Sequence, residues 1–281
     1  MEKQTISRRH FNKTLAIAGS FLLLKPLLDS SVALALPAVE MQFPKTSKVL
    51  KAAGFGKSRI LEFLTDARLE LYPELPDIYK KRKKSITYEE YRKKLGVPQM
   101  IQNGPRFLDE NGKVLGEIEA KFGVERQALA AIIAIESNYT ENGGTLNPVG
   151  VFITFIEKMP KRRRFGSREL VELIRFCDKH GFDPFSFCGS YAGAIGHAQF
   201  IPSSLNRLFI DFDGDGKPNP MSMADSLASI ANYLKAAGWK RGGKIEPVSQ
   251  NWNAVFAYNH SDYYVRAVKE VTEGIGYAPK T

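Results

Sequence analysis

The chain has 281 residues, of which 43% are hydrophobic and 25% are charged, and its formal net charge is +10. This is the composition of an ordinary globular protein, long enough for one large domain or two small ones. Nothing in it repeats at a fixed period and no segment has low complexity, which excludes repeat architectures and low-complexity chains.

The first 35 residues have the pattern of a twin-arginine export signal. Arg8-Arg9 precede the apolar run Thr14–Leu24, and Ala33-Leu34-Ala35 offers small residues to signal peptidase. A membrane anchor is the alternative, but the run is short for a span and Lys25 interrupts it. We therefore predict export to a bacterial periplasm by the twin-arginine pathway, no permanent membrane anchor, and one domain over residues 36–281.

Two basic runs, Lys80–Lys84 and Lys161–Arg164, contribute to the positive charge. Residues 1–35 have a net charge of +3, so the exported part keeps +7. Such runs suggest nucleic acid, but an exported protein rarely meets any. An anionic polymer of the cell envelope is the better candidate partner, and solvated faces without a partner remain the default interpretation of either run.

Helical spacing of apolar residues runs through the region before residue 123. The pattern predicts helices over Ser58–Leu71 and Phe107–Phe122, with Pro- and Gly-containing turns between helices. A weak signal also allows a short strand near Glu74–Ile78.

An acidic residue ends the apolar helix that follows. Leu129, Ile132, Ile133 and Glu136 fall at i, i+3, i+4 and i+7, on one helix face. A carboxyl group there loses hydration, so its pKa should rise, and it could then donate a proton near neutral pH. The alternative is a core glutamate satisfied by an arginine or a buried network.

The next helix and the segment after it differ in amino-acid composition. Ser167 and Gly181 have the pattern of a cap and a stop for a helix over Ser167–His180. The sequence leaves open whether Cys177 and Cys188 form a disulfide. Small residues then dominate Gly189–Ala198, which indicates either tight helix packing or a groove wall where a ligand lies against the backbone.

An acidic loop has the spacing of the first half of an EF-hand. Its expected ligands are side-chain oxygens at alternate positions, a backbone carbonyl and a late carboxylate: Asp211, Asp213, Asp215, Lys217 and Asp225. The twelfth position is Ser222 instead of glutamate, so Asp225 would have to close the site. Asp225 could instead belong to a capping box with Ser222 at the start of a helix. We predict a structural Ca²⁺ or Na⁺.

The segment Val255–Tyr264 combines aromatic rings with amides and hydroxyls. Sugar rings have apolar faces and polar edges, and such side chains suit both. An ordinary amphipathic helix start capped by Asn259 or Ser261 is equally compatible with this composition.

Several segments together resemble one family in their order along the chain. They are Glu136–Tyr139, Ser190–Ala194, Gly196–Ser204, the Asp211 loop, Ala231–Trp239 and Tyr258–Tyr264. The set is similar to the lytic transglycosylases of the membrane-bound lytic transglycosylase B type, glycoside hydrolase family 103. The resemblance covers roughly residues 40 to 275. It implies a mainly α (α+β) fold, with a lysozyme-like core over about residues 105–275, helical additions and the EF-hand-like cation loop.

The resemblance also implies a reaction and site residues. Glu136 would be the single catalytic acid and base, Ser190 and Gln199 would contact sugar or orient Glu136, and Tyr258 and Asn259 would line the groove. The enzyme would cleave the MurNAc-β-1,4-GlcNAc bond of peptidoglycan strands without water, leaving 1,6-anhydro-MurNAc ends. It would need no cofactor for catalysis and act as a monomer. The alternatives are a hydrolytic muramidase, which needs a second base, and a non-catalytic peptidoglycan-binding protein.

Two departures from the family pattern lie just after Glu136. Thr140 stands where the family usually has glycine, and Pro148–Arg164 is more basic than its counterpart and lacks an alanine-rich helix. We expect this segment to lie near the groove and to affect its shape.

Overall fold

α-Helices make up most of the protein. The computed structural model describes residues 36–81 and 86–276. After a helical stretch over residues 36–42, the helices of these parts are α1 Pro44–Ala52, α2 Lys57–Leu64, α3 Leu75–Lys81, α4 Tyr88–Leu95, α5 Val97–Glu110, α6 Gly112–Phe122, α7 Arg126–Ser137, α8 Pro148–Lys158, α9 Arg163–His180, α10 Pro202–Leu208, α11 Met223–Ala236, α12 Gln250–Tyr258 and α13 Asp262–Gly276. β-Pairing in these ranges is limited to isolated antiparallel bridges. The mainly α prediction is confirmed.

The export signal predicted for residues 1–35 lies outside the described residues. Within the described ranges, none of the helices combines the length and apolar character that crossing a membrane requires.

Helix α7 lies at the centre of the bundle. Every residue from Ala128 to Ala134 is buried, and α5, α6, α11 and α13 pack around it. A helix that is apolar on all sides is stable only when surrounded by other elements, since it has no polar face to expose to solvent. The packing fixes the end of α7, where Glu136 lies, on a rigid element.

Helix α8 is a second buried helix. Its residues Pro148–Glu157 are all buried, and it packs against α1 and α9. The Asn147 side chain caps it by accepting a hydrogen bond from the Val149 N–H at 2.9 Å. Its continuous apolar sequence places α8 in the core, so the prediction that Pro148–Arg164 lies near the groove and affects its shape stays a prediction.

Three predicted element boundaries differ from the structure. The possible strand near Glu74–Ile78 is wrong, since α3 occupies this position. The predicted helix over Phe107–Phe122 is two helices that meet at Asn111, whose side chain donates to the Phe107 carbonyl oxygen. The predicted helix over Ser58–Leu71 is the shorter α2.

Helix α9 begins four residues before its predicted start. Ser167 lies inside it, and the structure places Arg162 at the N-cap without a side-chain capping bond. The predicted stop is confirmed, because Gly181 ends the helix with a φ of 70°, in the left-handed region that favours glycine. Cys177 and Cys188 are free thiols, the first buried and the second exposed.

Candidate active site

Glu136 lies in a cleft at the C-terminal end of α7. The cleft has a volume of about 560 Å³, and Glu141, Ser190, Tyr191 and Gln199 also line it. The carboxyl group is half-buried, so it reaches the cleft while the greater part of its surface is withdrawn from water. Glu136, the last residue of the helix face predicted from the apolar spacing, thus lines a cleft.

The surroundings of Glu136 favour its protonated form. Burial raises its pKa to about 7, and the hydrogen bond from the Tyr264 hydroxyl, which acts in the opposite direction, offsets only part of this rise. That hydroxyl donates to Oε1 of Glu136 at 2.6 Å. Glu136 can therefore both donate and accept a proton near neutral pH, as a group that acts first as acid and then as base must do.

Two tyrosines form the wall beside Glu136. The rings of Tyr258 and Tyr264 are stacked, with centroids 6.4 Å apart and an angle of 9° between their planes. Burial raises the pKa of both hydroxyls well above its usual value, with the Glu136 charge as a further cause, so both stay protonated. The Tyr258 hydroxyl donates to the Ala198 carbonyl oxygen at 2.6 Å.

Tyr264 was not identified from the sequence as a site residue. It lies 128 positions from Glu136 along the chain, at the start of α13, and only the packing of α13 on α7 brings the two together. Two sequence signals pointed to this segment: the aromatic and polar character of Val255–Tyr264, and the place of Tyr258–Tyr264 in the family resemblance.

The small-residue segment forms a tight turn at the cleft. The Ser190 hydroxyl oxygen accepts hydrogen bonds from the backbone N–H groups of Ala192 at 3.3 Å and Ala194 at 3.2 Å. A Cβ on Gly189 would come within 2.2 Å of the Ala194 carbonyl oxygen, so only glycine fits there. Gly193 instead packs against a core phenylalanine ring. Both glycines are thus required by close packing, while Gly189 and Ser190 also line the cleft; that a ligand lies against this backbone stays a prediction.

Gln199 lies between two clefts and lines both. Its backbone has a φ of 49°, unusual for a residue with a side chain. Its amide nitrogen donates to the carbonyl oxygens of Gly143 at 3.0 Å and Gly196 at 2.8 Å. These bonds hold the side chain in place and leave the amide oxygen as an acceptor for a ligand.

The second cleft continues from Gln199 in the other direction. It has a volume of about 630 Å³, and its lining includes Tyr258, Phe200, Arg168 and Arg207. Asn259, predicted beside Tyr258 as a groove residue, lies on the exposed turn after α12 and is absent from the linings of these two clefts.

The predicted cation loop brings three carboxylates together. Oxygens of Asp211, Asp213 and Asp225 all lie within 4.8 Å of one another, which suits a hard cation with oxygen ligands. Asp215 lies outside this cluster, and its carboxylate accepts the Lys217 N–H at 2.8 Å.

Asp225 is buried and belongs to the loop more than to a capping box. Its carboxylate accepts backbone N–H groups of Phe212 at 2.7 Å, Asp213 at 3.3 Å and Asn219 at 2.8 Å. Burial raises its pKa and these three bonds act against the rise. Ser222 caps α11 by accepting the Asp225 N–H, but the reciprocal bond of a capping box is not formed, since the Ser222 N–H donates to Asn219.

The chain is similar to known cell-wall proteins. A family model described as the transglycosylase SLT domain matches residues 39–249. The membrane-bound lytic murein transglycosylase B of Escherichia coli (strain K12) is 30% identical over 206 residues, which are 70% of this chain and 57% of that protein. The matched part therefore spans little more than half of the relative's length.

Solved structures resemble the fold over most of the chain. The E. coli lytic transglycosylase Slt35 in complex with calcium gives a TM-score of 0.73 at 24% identity, covering 85% of this chain and 92% of that one. SltB3 from Pseudomonas aeruginosa in complex with NAG-anhNAM-pentapeptide gives 0.75 at 24% identity, covering 85% and 80%. These likenesses confirm the predicted lysozyme-like fold.

Proposed function

Because the chain belongs to the transglycosylase SLT domain family, we propose that it is a peptidoglycan lytic transglycosylase. It cleaves the MurNAc-β-1,4-GlcNAc bond without water and leaves 1,6-anhydro-MurNAc ends. The observation that carries the proposal is Glu136, a carboxyl group with a pKa of about 7 in a cleft. The lytic transglycosylase activity named for its relatives supports the same reaction.

In the first step Glu136 acts as the acid. Its proton goes to the glycosidic oxygen, the bond from that oxygen to C1 of MurNAc breaks, and GlcNAc leaves with a new hydroxyl. Positive charge develops at C1, as an oxocarbenium-like ion or with assistance from the sugar's own acetamido group. Glu136 is then a carboxylate, and the Tyr264 hydroxyl at 2.6 Å stabilises it.

In the second step the same carboxylate acts as the base. It takes the proton of the C6 hydroxyl of MurNAc while that oxygen bonds to C1 and closes the anhydro ring. Glu136 is again protonated, so the cycle needs no water and no second protein carboxylate. A pKa of about 7 suits both steps, because neither form of the group is strongly favoured at neutral pH.

The other predicted site residues would hold the substrate. The free amide oxygen of Gln199 can accept a hydrogen bond from a sugar hydroxyl, and the Ser190 hydroxyl can donate one. The Tyr258 ring offers an apolar face in the second cleft. Asn259 would need to bind from the exposed turn beside Tyr258, at the margin of the groove.

A hydrolytic muramidase is the second candidate, favoured by one observation. Glu74 and Glu141 line the same cleft as Glu136, so acids that could activate a water are present. Glu157 is not among them, because its carboxylate accepts the backbone N–H and the hydroxyl of Thr46 in the core.

Mass analysis of digested sacculi distinguishes the two candidates. Anhydro products weigh one water less than products with reducing ends, and we expect anhydro products alone. Reducing ends that disappear in the Glu141→Gln variant would establish the muramidase. Intact sacculi after prolonged digestion would instead favour a non-catalytic binding protein.

A structural Ca²⁺ would fit the loop. Asp211, Asp213 and Asp225 would hold it, and it would neutralise three crowded carboxylates and fix the loop. The calcium in a structural relative supports this choice. We expect chelation to lower the melting temperature, and Ca²⁺, but not an equal concentration of Na⁺, to restore it. An unchanged melting temperature in both tests would contradict a structural Ca²⁺.

We further propose that the enzyme acts in the periplasm as a monomer. Its partner there is the glycan strands of peptidoglycan. Arg8 and Arg9 would direct export, and changing both to lysine should leave uncleaved precursor in the cytoplasm. Normal export of that variant would exclude the twin-arginine pathway.

A further inference from the structure

The wall of the second cleft carries positive charge. Arg168 on α9 and Arg207 on α10 both line it, and Arg164 lies one helical turn before Arg168 on α9. The acid that lines the same cleft is engaged elsewhere, since Glu172 accepts a hydrogen bond from the Asn206 side chain and pairs with Arg175.

The two arginines differ in how far they are neutralised. Arg168 donates to Glu169 at 2.6 Å. Arg207 is exposed and has no ion-pair partner among the described residues. Its charge is therefore available to a ligand in the cleft.

Two arginines of the basic run noted in the sequence do not contribute to this charge. Arg162 lies over the Tyr79 ring at 4.1 Å, and Arg163 donates to the Ile156 carbonyl oxygen. Both side chains hold the turn before α9 in place, so part of that run is structural.

The charged cleft adjoins the cleft of Glu136. Gln199 lines both, and Tyr258 on the second cleft stacks on Tyr264, which binds Glu136. A substrate bound across Glu136 can therefore extend past Gln199 to the arginines.

The geometry points to a carboxylate-recognition site in the second cleft, formed by Arg207 with Arg168, which binds the acidic groups attached to the glycan. This inference rests on the proposed function. The sugar rings of peptidoglycan are uncharged, and its carboxylates lie on the peptide stem, or on the lactyl group when the stem is removed. A guanidinium group can bind a carboxylate through two parallel hydrogen bonds. The site selects strands by their side groups, while Glu136 acts on the sugar bond.

Three synthetic tetrasaccharides test this inference with the purified full-length protein. The first has peptide stems with free carboxylates, the second has the same stems with amidated carboxylates, and the third has the lactyl carboxylate alone. We expect kcat/KM to be about tenfold higher for the first than for the second, mainly through KM, since the contact is remote from the reacting bond. Arg207→Gln should remove this difference, and Arg207→Lys should restore part of it. Arg106→Gln is the matched control, because Arg106 is exposed on α5 and lines neither cleft.

Each outcome has a distinct meaning. If the third substrate matches the first and loses the same factor in Arg207→Gln, the site also accepts a lactyl carboxylate in place of a stem carboxylate. Equal kcat/KM for free and amidated stems would overturn the inference and leave the proposed function standing. The absence of anhydro products from all three substrates would instead overturn the proposed function.

Discussion

The end of α7 and the contact between α9 and α10 each hold a glutamate withdrawn from water, and the two are satisfied very differently. Glu136 accepts one hydrogen bond, from Tyr264, and opens onto a cleft. Glu169 is fully buried and accepts bonds from Arg168 and from both the N–H and the hydroxyl of Ser203.

The comparison separates the acid proposed as catalytic from a structural one. Burial alone is common to both, so burial on an apolar helix face does not identify a catalytic group. The distinguishing features are the number of donors and access to a cavity. Glu169 has a cation and two further donors, whereas Glu136 has a single neutral donor, and burial with so little compensation raises the pKa of Glu136.

Removing the acid of Glu136 should have the largest effect on activity. In Glu136→Gln the amide cannot donate a proton to the leaving oxygen or later accept one. We expect the rate of anhydro-product release to fall by about 10³-fold. Glu117→Gln, with the same charge change on the exposed face of α6, is the control. Activity within tenfold of the parent would contradict the role of Glu136.

The stability of Glu136→Gln relative to the parent protein should increase as pH rises. The pKa of Glu136 is raised from 4.5 to about 7 in the folded state, so ionising it costs stability from about pH 4.5 upward, and the cost is constant above about pH 7. The Glu136→Gln variant does not ionise at this position, so its free energy of unfolding is not reduced in this way. Urea unfolding should show no gain at pH 4 and a gain of up to about 3 kcal/mol at pH 8.

Changing the structural glutamate should have the opposite result. Glu169→Gln removes the charge that pairs with Arg168 and sets an amide N–H₂ against the donors of Ser203. Because these groups are buried, we expect a loss of about 3 kcal/mol in the free energy of unfolding. On peptide-free glycan, kcat/KM should stay within about twofold below the unfolding transition. Glu62→Gln, at an exposed position, should change stability by less than about 0.5 kcal/mol.

The sequence predicted features that depend on neighbouring residues better than contacts between residues far apart along the chain. Apolar spacing placed Glu136 on a buried helix face, and Gly181 marked a helix end, because both depend on neighbours a few residues away. It could not distinguish Glu136 from Glu169 by environment. The donors to these carboxylates, Tyr264 and Ser203, lie 128 and 34 positions away.

Other features that the sequence did not predict have the same cause. The segment Glu74–Ile78 has weak strand character, yet the structure places it in a helix. The burial of α8 likewise depends on its packing against α1 and α9, which no short pattern specifies. Resemblance to a family predicted what local periodicity could not, that Ser190, Gln199 and Tyr258 line one groove. In the structure Ser190 lines the cleft of Glu136, Tyr258 lines the second cleft and Gln199 lines both.

Removing the single donor to Glu136 should change its titration. The hydrogen bond from Tyr264 lowers the pKa of Glu136, so Tyr264→Phe should raise that pKa further. The fall in kcat/KM on the alkaline side should then move to higher pH. The maximal rate should drop about tenfold, since the carboxylate formed after the first step loses its donor. Tyr263→Phe is the control, and a pH profile unchanged by Tyr264→Phe would exclude the positioning role.

The smallest expected effect concerns backbone strain, which is found beside Glu136. Asn138, Tyr139 and Thr140 have positive φ values of 49°, 54° and 85° directly after α7. A β-branched side chain is unfavourable there by about 1–2 kcal/mol, whereas glycine adopts this region freely. Thr140→Gly should therefore raise the free energy of unfolding by about 0.5–1 kcal/mol, after the higher chain entropy of glycine is subtracted.

Thr65→Gly is the matched control for this strain. Thr65 ends α2 with a φ of −109°, so glycine there should lower stability. If Thr140→Gly is more stable and equally active, the strain after α7 does not serve catalysis. A gain in stability with a fall in kcat would mean that the strained turn helps to hold Glu136 in place. A loss of stability would show that the contacts of the Thr140 side chain outweigh the strain.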